Sequence, residues 1–176
     1  MKNRYLILRH AETIKNPDKH PKDWLLTPDA LEKINEYISD GKFNSITKIV
    51  TSTEPKAVAT GKPISTHLNL PITEVEEFVE VKREKKFLTD EEFLIQKQKE
   101  LEVRNEKVNG VESGDQAITR FKLGIEKLEE EFKDESILII THGTIMTLFL
   151  ADCKNDFLNI FENWKNLKFC ELVELN

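Results

Sequence analysis

Two histidines in this chain follow apolar runs that should be buried. The first run is YLILRH, ending in Arg9-His10; the second is SILIITHG, ending in His142-Gly143. A core does not choose charged or titratable groups without a partner. Either each strand simply emerges at the surface there, or the residues belong to a site. A lone histidine after a strand is more often a packed or solvated residue than a functional one. The repeat of the pattern, with an arginine beside one copy, favours a site. Arginine offers a planar fork that fits phosphate or carboxylate. A helix start near Thr144 would add backbone N–H groups suited to an anion, and Gly143 permits close approach of the backbone.

The elements needed to position these groups are legible. Tyr5 to Leu8 and Ser136 to Ile140 are short, branched-rich and apolar on both faces, as in parallel strands covered by helices on both sides; Ile46 to Val50 is a third candidate. TPDALEKINEYISDG predicts a helix with Thr27 as N-cap, Pro28 in the first turn and Gly41 as stop. EPKAVATGKPISTHLNL carries Ala57, Val58, Ile64 and Leu68 near helical spacing, interrupted by Gly61 and Pro63. SGDQAITRFKLGIEKLEEEF places Ile118, Phe121, Ile125, Leu128 and Phe132 on one helix face. KFCELVEL reads as a final edge strand. The pattern predicts an α/β three-layer sandwich with a mainly parallel sheet, helices on both faces and the edge strand at the C-terminus. In open parallel sheets ligands bind at the carboxyl ends of the strands. If the two strands are neighbours, His10 and His142 face one crevice.

Composition sets the outer bounds. The chain has 176 residues, 39% of them hydrophobic and 33% charged, as expected of one soluble domain over residues 1–176 with a real core. The net charge of −6 disfavours general nucleic-acid binding but allows a local positive pocket. No apolar run approaches a membrane span, and the N-terminus does not read as a secretory signal, so a cytoplasmic protein without membrane association is expected. Cys153 and Cys170 have neither redox-pair nor zinc-site spacing and are expected as reduced thiols. The stretch from about 81 to 109 is dense in Lys and Glu. It reads as an exposed helix anchored by Phe87, Phe93 and Leu94, with a flexible lid as the alternative. His20, in a loop, and His67, in a helix, read as structural or exposed, with His20 also a candidate for the substrate mouth.

LRHAET, followed by Asn16, resembles the signature of the histidine phosphatase superfamily, in its phosphoglycerate-mutase-like branch. TSTEPKAVAT is similar to a second family segment, with Ser52, Lys56, Ala57 and Thr60 in register. FVE at Phe78 to Glu80, GVES with Arg120 eight residues after Glu112, and THGT follow in the family's order. The resemblance implies that His10 is a nucleophile phosphorylated on a ring nitrogen. Arg9, His142 and Lys56 would surround the phosphoryl oxygens. Glu80 would protonate the leaving alcohol and then activate water, with Glu76 or Glu77 as replacements. Asn16, Ser52 and Gly143 would be further pocket groups. No metal and no cofactor are implied.

Two departures bear on rate and substrate range. Ala11 stands where the family has glycine, and an alanine resists positive φ. Lys56 stands where the family has a second arginine, keeping the charge but losing the bidentate fork. The resulting expectation is a phosphatase acting on a small phosphorylated substrate. The alternatives are a mutase-like phosphotransferase, a phosphoprotein phosphatase, or a non-catalytic phosphate- or partner-binding protein. Nothing in the sequence reports the substrate's identity or the oligomeric state.

Overall fold

A computed structural model describes residues 3–84, 88–108 and 110–175 of the chain. The sheet has five strands: β1 (Arg4–Arg9), β2 (Lys48–Thr51), β3 (Ile72–Glu74), β4 (Ser136–Thr141) and β5 (Leu172–Leu175), in the order β3-β2-β4-β1-β5. β1, β2, β3 and β4 run parallel, and β5 pairs antiparallel with β1. Among the described residues six α-helices accompany them: α1 (Glu32–Ser39), α2 (Pro55–Leu68), α3 (Asp90–Glu102), α4 (Gly114–Glu131), α5 (Gly143–Lys154) and α6 (Ile160–Asn166). Among the described residues no helix is long and apolar enough to cross a membrane.

Alternation along β1 builds the layers. Tyr5 and Ile7 pack into a core with α4, α5 and α6, while Leu6 and Leu8 face a second core with α1 and α2. All six residues of β4 are buried, as its unbroken apolar run requires. The expected three-layer α/β sandwich is the observed one, and β5 is its edge strand. β3 is a short addition that the sequence reading did not contain.

Local differences have local causes. Helix α1 starts at Glu32 rather than after Thr27. Thr27 N–H bonds the Glu12 carbonyl at 3.0 Å, and Thr13 bridges Leu26. These contacts tie the segment to the chain leaving β1 and leave the first turns irregular. Gly41, at φ +69°, stops the helix as expected. Helix α2 runs through Gly61 and Pro63 without a break. A Cβ on Gly61 would lie 3.1 Å from Ile140 and 3.2 Å from Thr51, so the glycine lets α2 press on the sheet.

The charged stretch forms α3, opened by a capping box between Thr89 and Glu92. Its expected anchors are corrected. Phe93 is only half-buried and Leu94 is exposed; the buried residues of α3 are Lys97, Glu100 and Leu101. Phe87 lies outside the described residues. Cys153 and Cys170 are both free thiols, the first exposed and the second buried.

Candidate active site

β1 and β4 are hydrogen-bonded neighbours, with Arg9 opposite Thr141 in register. The residues that follow therefore leave the sheet side by side. His10 N–H bonds the Thr141 carbonyl at 2.9 Å, and the His10 and His142 rings lie 5.0 Å apart. Both histidines are buried.

His10 is aimed through its backbone neighbour. Its Nδ1 is 2.7 Å from the Ala11 carbonyl oxygen. A carbonyl only accepts, so Nδ1 carries the proton and Nε2 keeps its lone pair. Burial, then the neighbouring His142 and the Lys56 charge, hold His10 well below its ordinary pKa, leaving the ring neutral at neutral pH. Ala11 is buried, is not among the residues at positive φ, and donates its N–H to Thr60 Oγ1 at 3.0 Å. The turn after the histidine accepts an alanine without strain.

His142 is the N-cap residue of α5. Its Nε2 lies 2.6 Å from Ser52 Oγ and 3.6 Å from Glu54 Oε1. Burial, then the charge of Lys56, also lowers its pKa well below the ordinary value. His142 Nδ1 is buried with no hydrogen-bond partner among the described residues, and so is Arg9 Nε. Buried polar atoms of this kind are rare in folded proteins and ask for an explanation. Arg9 also donates from Nη1 to the Leu167 carbonyl and stacks on the Phe169 ring, with Cζ 4.1 Å from its centroid. A Cβ on Gly143 would fall 3.0 Å from Arg9 Nε. The glycine thus lets the arginine lie close against the start of α5; a Cβ there would press its guanidinium away by a few tenths of an ångström.

Lys56, on the first turn of α2, is buried and already engaged. Its Nζ lies 2.7 Å from Glu54 Oε2 and donates to the Pro21 carbonyl at 2.7 Å. Glu54 was not singled out in the sequence. It is buried, and its Oε1 accepts the Glu80 N–H at 2.9 Å. The available signal was its place between Ser52 and Lys56, immediately before a proline that starts a helix.

Glu80 reaches the same crevice from the segment after β3. Its carboxylate accepts the Thr144 N–H at 3.0 Å, the Ile145 N–H at 2.9 Å and the Val81 N–H at 2.9 Å. It caps the start of α5, where a negative charge is favoured. Burial alone would raise its pKa. The charge of Lys97 and the Thr144 N–H outweigh this and hold the carboxyl well below the usual carboxylate range. Arg120 secures the segment. It grips Glu112 with two 2.8 Å bonds and donates to the carbonyls of Glu77, Val79 and Glu80. Glu76 and Glu77 point elsewhere, to Lys82 and Thr53 and to Lys127 respectively.

Lys97 is the second residue missed. The charged helix α3 inserts it, 1% exposed, so that Nζ donates to Glu100 at 2.6 Å and to Thr144 Oγ1 at 3.0 Å. In sequence its pair with Glu100 is indistinguishable from a solvated i,i+3 pair. Asn16 bonds within its own loop, accepting from the Asp18 and Lys19 N–H groups and from Trp24 Nε1. His20 accepts the Lys22 N–H and lies 3.1 Å from the Arg83 carbonyl, bracing that loop against the segment after Glu80. His67 is exposed on α2.

The fold and the site define a mainly parallel α/β protein with paired histidines at adjoining strand ends. The chain matches the histidine phosphatase superfamily (branch 1) over residues 5–176 and belongs to that superfamily. Among curated proteins none matches it. Its fold is similar to that of a mycobacterial glucosyl-3-phosphoglycerate phosphatase, at 16% identity and a TM-score of 0.78, over 99% of this chain and 90% of the other. It is also similar to a phosphoserine phosphatase from Entamoeba histolytica, solved as a mutant with phosphoserine, at 17% identity and a TM-score of 0.76, covering 98% and 89% of the two chains. A third similar structure is YhfR of Bacillus stearothermophilus, at 16% identity and a TM-score of 0.76, covering 99% and 92%.

Proposed function

We propose that this chain is a metal-independent phosphatase that hydrolyses a small phosphomonoester through a phosphohistidine on His10. The observation that carries the reading is His10 Nδ1, fixed 2.7 Å from the Ala11 carbonyl oxygen, beside two buried nitrogens, Arg9 Nε and His142 Nδ1, that have no hydrogen-bond partner among the described residues. The small phosphorylated compounds named with the similar structures, phosphoserine and glucosyl-3-phosphoglycerate, support a substrate of that size.

In the first step His10 Nε2 attacks phosphorus. The N–P bond forms as the bond from phosphorus to the ester oxygen breaks, and that oxygen leaves as the alcohol once it takes a proton. Arg9 and His142 donate to the phosphoryl oxygens, where charge is concentrated in the transition state. With the Ser52 hydroxyl donating to Nε2, His142 carries its proton on Nδ1 and directs it at the phosphoryl group. Glu80 is the proton carrier. Its resting carboxylate is ionised, the form that takes a proton from water in the second step. Water then attacks the phosphohistidine, the N–P bond breaks, and phosphate leaves. The proton gained by Glu80 leaves with the phosphate, and in the first step the proton that Glu80 hands to the alcohol comes from the phosphoryl group of the substrate monoanion, so each turnover balances. Asn16 shapes the loop over the pocket, and Lys56 contributes charge.

A second reading, a binding protein without turnover, is supported by the engagement of Lys56 with Glu54 and Pro21, which leaves less of its charge for a transition state. Hydrolysis of a simple phosphomonoester in the presence of a chelator separates the two. Turnover that falls at least ~10⁴-fold in His10→Asn is expected, since removal of a nucleophile costs rates of that order. Unchanged turnover in that variant would refute the assignment.

A further inference from the structure

Beside Arg9 the surface has a shallow cavity of about 530 Å³, open to solvent on one side. Its walls are Leu94 of α3, Trp164 of α6, and Leu167 and Phe169 of the loop before β5. The Phe169 ring joins it to the site, lying 5.7 Å from the His10 ring and under the Arg9 guanidinium. Two of these side chains are unusually open for large apolar groups, Leu94 at 43% and Phe169 at 38% exposure. Exposed apolar side chains gathered beside a reactive group indicate a surface meant to be covered.

We infer that this cavity holds the alcohol portion of the substrate, and that this portion is an apolar group of about the size of an aromatic ring. The inference rests on the phosphatase reading. Arg9 borders both the cavity and His10's surroundings, so an ester whose phosphoryl group meets His10 and Arg9 can send its organic part between α3 and α6. Trp164 presents a flat aromatic surface, itself packed on Phe93 and Phe161. The charged groups of the lining besides Arg9 are Lys165, held by Glu162, and Lys168, so a cationic alcohol is disfavoured there. The charged helix thereby has a role in selection: Lys97 anchors it beneath the site while Leu94 faces the substrate's organic part.

The test compares 2-phenylethyl phosphate with ethyl phosphate. Both release a primary alcohol, so their ratio of kcat/KM reads recognition of the ring. A ratio of about ten- to a hundredfold in favour of the phenyl ester is expected, the range a ring in an apolar pocket provides. Leu94→Ser brings the ratio toward one, whereas Ile95→Ser, at a more exposed neighbour outside the cavity, leaves it as in the wild type. A ratio near one in the wild type, or a ratio insensitive to Leu94→Ser, would overturn the inference. If neither ester is hydrolysed, the phosphatase reading fails, and calorimetry with 2-phenylethylphosphonate against ethylphosphonate still tests the cavity. Tighter binding of the phenyl compound then supports it, and equal affinity refutes it.

Discussion

The ends of β1 and β4 and the start of α2 contribute to one pocket in opposite ways. At the strand ends burial shifts both imidazoles toward their neutral forms, and Arg9 Nε and His142 Nδ1 have no hydrogen-bond partner among the described residues. At the start of α2 the cation is already satisfied: Lys56 meets Glu54 on one side and the Pro21 carbonyl on the other. On the proposed function, a ligand meets unpartnered donors at the strand ends and must compete for Lys56 at the start of α2. A bidentate arginine at position 56 would have had donors to spare for both Glu54 and a phosphate. A lysine has three donors on a single point; here one bonds the Pro21 carbonyl and the charge lies against Glu54 Oε2. The difference shows that retaining a charge in sequence is not the same as retaining it for substrate.

The largest effect that would sharpen this comparison is on stability. Both strand-end imidazoles are buried and shifted downward, so the folded state resists protons that the unfolded chain accepts below about pH 6.5. Stability conferred by their neutral forms is therefore present above pH 6.5 and is lost as pH falls toward the lower folded values. The loss is at most about 1.4 kcal/mol per pH unit for each histidine. Urea unfolding between pH 7 and pH 5 should show the decline, and His10→Asn together with His142→Asn should flatten it. An equally steep slope in the double variant would mean that the imidazoles are not held neutral.

A smaller effect concerns the α2 corner. Glu54→Gln removes the carboxylate charge facing Lys56 while keeping an amide that can accept the Glu80 N–H. Inorganic phosphate, as product inhibitor, should then bind about three- to tenfold tighter, consistent with loss of one opposing charge at an intermediate dielectric. Weaker phosphate binding in Glu54→Gln would break the comparison, because Glu54 would then be holding Lys56 in place for the ligand.

Much of this was legible in the chain because burial and chemistry collide visibly at two points. The runs before His10 and His142 are apolar on both faces, so their strands had to be covered, and titratable groups at their ends had to be used or paired. Their adjacency in the sheet, left as a condition in the sequence, is a matter of topology that the β1–β4 pairing supplies. What stayed hidden has a common physical cause. Lys97 is buried, yet a lysine three residues before a glutamate looks the same in sequence whether it is solvated or enclosed. Glu54 acquires its meaning only when α2 folds it back on Lys56 and the Glu80 backbone. Phe169 reads as part of a strand, but the loop preceding β5, with Cys170 at φ +57°, turns its ring over Arg9. Thr27 has the chemistry of an N-cap, and a tertiary bond from its own N–H redirected the first turns of α1.

The central claim is that His10 carries the phosphoryl group. Rapid acid-free quenching of the enzyme mixed with a phosphorus-labelled phosphomonoester, followed by peptide mapping, tests it directly. The account predicts a label on the His10 peptide that is stable in alkali, lost in acid and absent from His10→Asn. Steady hydrolysis with no protein-bound label under single-turnover conditions, or a label on another residue, would contradict it.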